Sequence, residues 1–437
     1  MKRISTYIGM AALAMLLFLT SCTNSTHKTP SFVTVKGNAF LRNGKPYRYL
    51  GANYWQGMNL GSMGTGGDRE RLKRELDQMQ MLGITNLRIL ALSEGPDGTP
   101  YRIHPAVQRE PAVLDEQLLQ GLDFLLDEMG RRNMTAVIVL NNFWPWSGGM
   151  GQYLHWNGAD SIPYPPPHPN GDWDRYQQFI AKFYTVPSAV RQHKTSVQQI
   201  IERVNSVNQR KYREDPVIMS WQLCNEPRGM KQVEAFHAWI DDLAGFIKKL
   251  DPNHLVSTGS EGYTPWPEAS GTDFMRMHAG KDVDYTTAHC WIQNWMWYDP
   301  QHHDSTYPAA KAKMLDYLTR HVADAKKLNK PFVLEEFGIM KDEGDFDPTA
   351  TNKNRDQFYA DVFEAMAGYS KSGQASGVNF WAWAGEGRPR IPGTMWRTGD
   401  PLTGDPPHEP QGWYSVYNTD SSTHAVIRKY AALMGSN

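Results

Sequence analysis

Two alternating rhythms of apolar residues run through this chain. From Asp68 they recur at Leu72, Leu76 and Met79, one face of a helix that Asp68 can cap, and Gly83 separates that helix from the short apolar run 84–90. The unit then repeats. Asp115 opens a helix that turns Leu118, Leu119, Leu122, Leu125, Leu126 and Met129 to one side, and a run rich in β-branched residues follows at 135–140. Further helical patterns, carried by Val197 and Ile200, by Phe236, Trp239 and Leu243, by Met314 and Leu318, and by Phe358 and Val362, precede apolar runs at 217–223, 255–258, 332–336 and 378–383. A weaker helical segment precedes the run 284–289, and a first run lies at 49–53.

Eight apolar runs without strict polar alternation, each separated from the next by a helix, predict parallel strands covered by helices and closed into a (β/α)8 TIM barrel. The competing architecture is an open doubly wound sheet. Against it, the glycine stretch Gly64-Thr65-Gly66-Gly67 lacks both the GxGxxG order and a following Lys-Ser/Thr. Upstream, Asn43-Gly44 between short strand-like segments predicts a small N-terminal β-hairpin.

The first thirty residues have another character. Lys2 and Arg3 precede an apolar stretch over 7–19, too short for the roughly 20 residues of a membrane-spanning helix and typical of a secretory signal. Leu19-Thr20-Ser21-Cys22 resembles a bacterial lipobox, which implies a signal peptide over 1–22, lipidation of Cys22 and a polar tether over 23–31, and leaves 32–437 as a single (β/α)8 domain. The expected location is the bacterial cell envelope, with membrane attachment through the N-terminal lipid alone, on the periplasmic or the outer face. Only Cys224 and Cys290 remain, too few for a disulfide scaffold.

Composition narrows the partner. With 45 Lys+Arg against 46 Asp+Glu the chain lacks the basic excess of a nucleic-acid binder. Its 15 Trp and 20 Tyr, by contrast, must fill a core or face a flat ligand.

Barrel enzymes carry their chemistry at the C-terminal ends of the strands. Here those ends hold Arg88, then Asn141-Asn142-Phe143-Trp144, then Asn225-Glu226-Pro227, then His289 and Trp291, then Glu336-Phe337-Gly338, then Trp381 and Trp383. Two carboxylates on facing strand tops are what glycoside hydrolysis needs, one to protonate the leaving oxygen and one to act as nucleophile or base. Alternation along the strand sets Glu335 apart: if Glu336 faces the cleft, its neighbour does not. Adjacent His302 and His303 do not share a face, so they read as a solvated loop. The acidic stretch with Asp342, Glu343, Asp345 and Asp347 lacks calcium-loop spacing. Neither metal nor cofactor is called for.

These motifs, with Gly51-Ala52-Asn53-Tyr54-Trp55 and Gly412-Trp413-Tyr414-Ser415-Val416 at either end, resemble glycoside hydrolase family 5, and within it the bacterial β-mannanase branch. The resemblance implies Glu226 as general acid/base and Glu336 as nucleophile of a retaining double displacement; charge attraction from Arg88 is then expected to lower the pKa of Glu336, and a partly desolvated site to keep a proton on Glu226. It further implies Asn225 on the sugar 2-hydroxyl, His289 in support of the acid/base, and Trp381 as a sugar platform. Trp291 stands where the family has a Tyr. Trp55, Asn142 and Trp144 complete the expected substrate-binding set, and the stretch 144–169 is read as a long loop shaping the cleft. The implied activity is an endo-β-1,4-mannanase on mannan, glucomannan or galactomannan, binding β-mannan poly- or oligosaccharide. The alternatives are an exo-acting β-mannosidase, a β-1,4-glucanase and a noncatalytic glycan-binding lipoprotein. Retention predicts carboxyl groups about 5 to 5.5 Å apart, and inversion a gap above about 6.5 Å.

Overall fold

The computed structural model describes residues 31–435. The expected signal segment, Cys22 and all of the tether but Ser31 lie outside the described residues.

From Phe32 onward the chain builds the barrel that the pattern predicts. Its strands are β1 (Tyr49–Asn53), β2 (Asn86–Leu90), β3 (Thr135–Val139), β4 (Ile218–Gln222), β5 (Leu255–Ser257), β6 (Thr286–Cys290), β7 (Phe332–Phe337) and β8 (Gly377–Phe380). They pair in parallel in the order β5-β4-β3-β2-β1-β8-β7-β6. Between β5 and β6 a mixture of side-chain and backbone hydrogen bonds replaces the regular ladder. Val256 N donates to Asp284 Oδ2 at 2.7 Å, Asp284 N donates to Val256 O at 2.8 Å, and Thr287 Oγ1 donates to Ser260 O at 2.9 Å.

Outside the strands lie α1 (Arg69–Met81), α2 (Glu116–Arg131), α3 (Pro187–Ile201), α4 (Val233–Leu250), α5 (Phe274–Ala279), α6 (His303–Leu328), α7 (Lys353–Lys371) and α8 (Ser421–Gly435). Asp68 and Asp115 cap α1 and α2, accepting from Arg71 N at 2.9 Å and from Leu118 N at 3.1 Å. Their apolar stripes pack on the outward side chains of the strands in one continuous core. Of the pair His302-His303, read from sequence as loop, His302 ends the short turn Pro300–His302 and His303 is the first residue of α6.

The predicted hairpin is part of a three-stranded antiparallel sheet over Thr34–Lys36, Ala39–Arg42 and Lys45–Tyr47. Asn43 and Gly44 take positive φ values of 56° and 72°, as a two-residue hairpin turn requires. Val33 and Phe40 of this segment cluster with Tyr49, Met219, Leu255, Tyr285 and Val333 and close the barrel at the N-terminal end of its strands. The opposite end is left for the long connections. The stretch 144–169 is not one loop: after Trp144 come a turn at Pro145–Ser147 and a helix at Gly149–Trp156. A second excursion, 386–413, leaves after β8.

Candidate active site

Glu226 and Glu336 reach the same end of the barrel by different backbone devices. Alternation along β7 sends Val333 into the interior and Leu334 to the helix layer, and carried on strictly it would turn Glu336 outward. It is interrupted. Ala288 pairs with Leu334 but His289 pairs with Glu336, so β7 carries one extra residue, a bulge that turns Glu336 inward. Glu335 stays inside as well, beneath the site, with both carboxylate oxygens accepting from Gln222 Nε2 at 2.9 and 2.8 Å. It does not face the cleft, as expected, but for a different reason. Glu226 follows β4 with φ of 50°, a left-handed conformation that costs a non-glycine residue on the order of 1–3 kcal/mol. Its N–H donates to Gly259 O at 2.9 Å, which helps to hold it there.

Three donors converge on Glu226. His289 Nδ1 lies 2.5 Å from its Oε1, Trp144 Nε1 donates to its Oε2 at 2.5 Å, and Trp291 Nε1 donates to Oε1 at 3.3 Å. Trp291 therefore serves Glu226, not the carboxylate that the family Tyr would address. Glu336 is held from below by Arg88, which donates to it from Nη1. The same guanidinium donates to Gln222 Oε1 at 2.7 Å, to Asn53 Oδ1 at 3.0 Å and to Asn225 Oδ1 at 2.7 Å, so its plane is fixed from every side. Asn225 in turn donates to Asn142 Oδ1 at 3.1 Å. Close behind, Gly149 has φ of 53° and approaches Asn142 so nearly that a Cβ would lie 2.0 Å from its carbonyl oxygen.

Glu226, His289 and Glu336 each bring one ligand-type atom within 4.8 Å of the other two. One oxygen of the Glu226 carboxylate therefore lies within 4.8 Å of one oxygen of the Glu336 carboxylate. Burial pushes Glu336 up to about 7, with the Glu226 charge adding to it and His289 and Arg88 pulling against it. Burial also opposes a charge on Glu226, but His289 and the hydrogen bonds from His289 and Trp144 hold it down to about 2. Burial disfavours a charged His289, yet the Glu336 and Glu226 carboxylates around it push it up to about 10. This differs from the expectation that Arg88 would set Glu336 low and that Glu226 would carry the proton. Burial outweighs Arg88 at Glu336, and the proton beside Glu226 rests on His289. The three groups titrate as one system.

Above them lies a cavity of about 770 Å3, with Trp144, Trp146, Trp291, Trp295, Trp381 and Trp413 among its walls. Asn225, Glu226 and Glu336 also line it. Trp381 meets Trp291 and Trp146 edge-on at 6.2 and 6.5 Å between ring centroids. Other expected substrate contacts are moved behind this surface. Trp55 is 4% exposed and donates to Gly404 O at 2.8 Å, which makes it an anchor for the excursion after β8. Asn142 and His289 are fully buried, and Arg88 lies under Glu336, so all three support the lining instead of forming it. Trp383 is buried against His424.

Sequence reading missed Arg228, Glu261, Gln177, Asn294, Trp173 and Glu409, which also line the cavity. The one available signal was position: Arg228 follows the Asn225-Glu226-Pro227 motif directly, and Glu261 lies just past β5. Glu409 belongs to the second excursion and turns an unpartnered carboxylate oxygen inward. Burial and the charges of Asp405, Glu336 and Glu226 push it well above the ordinary carboxylate range. Three connections meet in a wall: His408 of the second excursion packs edge-on against Trp173 at 5.5 Å, and Tyr101, from the connection after β2, touches His168 at 4.9 Å and His408 at 6.4 Å.

Residues 30–436 match the family described as GH family 5 beta-mannosidase-like. The chain belongs to glycoside hydrolase family 5. A family 5 mannosidase from Rhizomucor miehei is 43% identical, with a TM-score of 0.85 over 92% of this chain and 97% of that one. An endo-β-1,4-mannanase from Thermotoga petrophila is 25% identical, with a TM-score of 0.66 over 90% and 78%. Among curated relatives, mannan endo-1,4-β-mannosidase 5 of Solanum lycopersicum is 30% identical over 361 residues, 79% of each chain. Mannan endo-1,4-β-mannosidase 7 of Arabidopsis thaliana is 29% identical over 385 residues, 84% of this chain and 82% of that one. This family 5 chain is therefore similar to plant mannanases as well as to fungal and bacterial proteins.

Proposed function

We propose that this family 5 protein is a retaining β-1,4-mannan hydrolase acting within mannan, glucomannan or galactomannan chains. The observation that carries the reading is the pair of buried carboxylates with oxygens within 4.8 Å, at the base of a cavity walled by tryptophan. A sugar seated on Trp381 would present its anomeric carbon to Glu336. A Glu336 oxygen attacks that carbon, the glycosidic C–O bond breaks, and Glu226 gives a proton to the departing oxygen. In the second half a water loses its proton to Glu226 and displaces Glu336, which restores both carboxyl groups. Moving one proton across the 2.5 Å link from His289 to Glu226 leaves a neutral imidazole and a protonated acid with no change in net charge. The buried His289 thus supplies the acid that the first half-reaction needs.

A second reading, an exo-acting β-mannosidase, is favoured by the wall in which His408 meets Trp173, and by the likeness to the Rhizomucor miehei mannosidase. Product time courses from mannohexaose, with cellohexaose in parallel, separate the two. Mixed early products from mannohexaose alone support internal cleavage. Mannose released one unit at a time supports the exo reading, and equal cleavage of cellohexaose refutes mannan specificity. The chain further reads as a bacterial lipoprotein, lipidated at Cys22 and held at the cell envelope, a reading supported by the Leu19-Thr20-Ser21-Cys22 sequence. Cys22→Ala should release the protein from the membrane fraction, and unchanged membrane retention would refute the lipid anchor.

A further inference from the structure

Two residues past Glu226, Arg228 folds back over the indole of Trp144, its guanidinium carbon 5.0 Å from the ring centroid. The guanidinium is held in plane from two sides. Its Nε donates to Glu261 Oε1 at 2.5 Å, and its Nη1 donates to Gln177 Oε1 at 2.7 Å. Glu261 is itself fixed through its backbone, where its carbonyl oxygen accepts from His289 N at 3.1 Å and from Tyr317 Oη at 2.5 Å. Its side chain is 2% exposed and that of Arg228 is 14% exposed, so neither charge is left to water. Trp144 is the ring whose N–H reaches Glu226 at 2.5 Å. A continuous line of contacts therefore runs from the Glu261 carboxylate through Arg228 and Trp144 to Glu226.

We propose that Glu261 is a positioning residue for Glu226: by holding the Arg228 guanidinium flat against Trp144, it aims the indole N–H at Glu226 and keeps the cation from pairing with Glu226 directly. The inference rests on the reading of Glu226 as the proton donor. A guanidinium in a half-buried site takes a carboxylate partner in bidentate geometry where one is within reach. Glu226, two residues away on the same loop, is within electrostatic reach, since Arg228 already helps to hold its carboxyl low. Without the Glu261 charge, Arg228 would be drawn to Glu226 and would keep it ionised. Proton donation would then fail for substrates whose leaving oxygen needs a proton, while substrates with a good leaving group would be spared.

The test compares Glu261→Gln and Arg228→Gln with the unaltered protein, on mannotriose and on dinitrophenyl β-mannoside, across pH. For Glu261→Gln we expect kcat on mannotriose to fall by about tenfold or more, with KM and the dinitrophenyl rate changed by less than about threefold. The basic limb of kcat/KM should move to lower pH in Glu261→Gln and to higher pH in Arg228→Gln, because the first strands the cation beside Glu226 and the second removes it. If Glu261→Gln does not fold, Arg228→Gln carries the test through its opposite shift. A rise in KM for mannotriose with kcat and both pH limbs unchanged would overturn the proposal and make the pair a sugar contact. Equal losses on the two substrates would overturn it as well. Glu226→Ala, assayed alongside, separates the two claims: if that variant shows no greater loss on mannotriose than on the dinitrophenyl substrate, the proton-donor reading fails whatever Glu261 does.

Discussion

Replacing Arg88 by Met tests the electrostatic account where its terms are most distinct. Arg88 is 3% exposed and donates to Gln222, Asn53, Asn225 and Glu336, so Met would take the guanidinium from the buried Glu336 carboxylate and leave three buried oxygens without a donor. Removing one partner of a buried ion pair costs about 3–5 kcal/mol, and the three orphaned oxygens set the upper end of that range. In the active site the effect has a direction. Arg88 pulls against the burial that raises Glu336 to about 7, so its loss raises Glu336 further. Each unit of rise lowers the ionised fraction about tenfold below the new midpoint. The assays are a urea melt, with the midpoint expected to fall at unchanged slope, and kcat/KM against pH, with the acid limb expected above that of the unaltered protein. An acid limb that stays in place or moves to lower pH while the protein remains folded would refute the reasoning.

Three further outcomes follow from the same geometry. Glu226→Ala should lose several orders of magnitude in kcat on mannotriose, retain most of the first step on a dinitrophenyl β-mannoside, and recover turnover when azide is added; kinetics with and without azide check this. Glu336→Ala should abolish turnover of both substrates while mannotriose binding persists by calorimetry. Asp123 is fully buried and accepts from Arg203 at 2.9 and 2.6 Å, from Tyr212 Oη at 2.6 Å and from Ser206. Asp123→Ala should therefore cost about 3–5 kcal/mol of stability. Burial works against the Asp123 charge, but these donors hold its carboxyl below the ordinary value. Its contribution is then complete above the unfolded carboxyl pKa near 3.9 and declines as pH falls through the folded value. Melts of both proteins at pH 7 and at low pH check the size and the sign.

The barrel was legible in the sequence because its strands and helices carry strong, separate periods. Leu72, Leu76 and Met79 mark one face of α1, and the aspartates before α1 and α2 cap them as read. Glu226 and Glu336 were legible because they end two of those strands in motifs with turn chemistry. What escaped reading lacks a period. The extra residue in β7 overrides the alternation that would have turned Glu336 outward, and nothing in Phe332–Phe337 marks an insertion by residue type alone. The excursion 386–413 is rich in Gly and Pro and has no apolar repeat, so its placement of Glu409 and Trp413 on the cavity depends on tertiary contacts such as Trp55 to Gly404. Arg228 and Glu261 are far apart in sequence and meet only because β4 and β5 are neighbours. Trp55, Asn142 and His289 carried the right residue types for sugar contact, but burial placed them behind the surface.

The most direct measurement of the central claim is proton NMR of the anomer first released from β-mannotriose or mannohexaose, recorded before mutarotation. With carboxylate oxygens of Glu226 and Glu336 within 4.8 Å, the account predicts that the β anomer appears first and the α anomer only as equilibrium is reached. An α anomer appearing first would mean inversion, and would contradict the assignment of Glu336 as nucleophile.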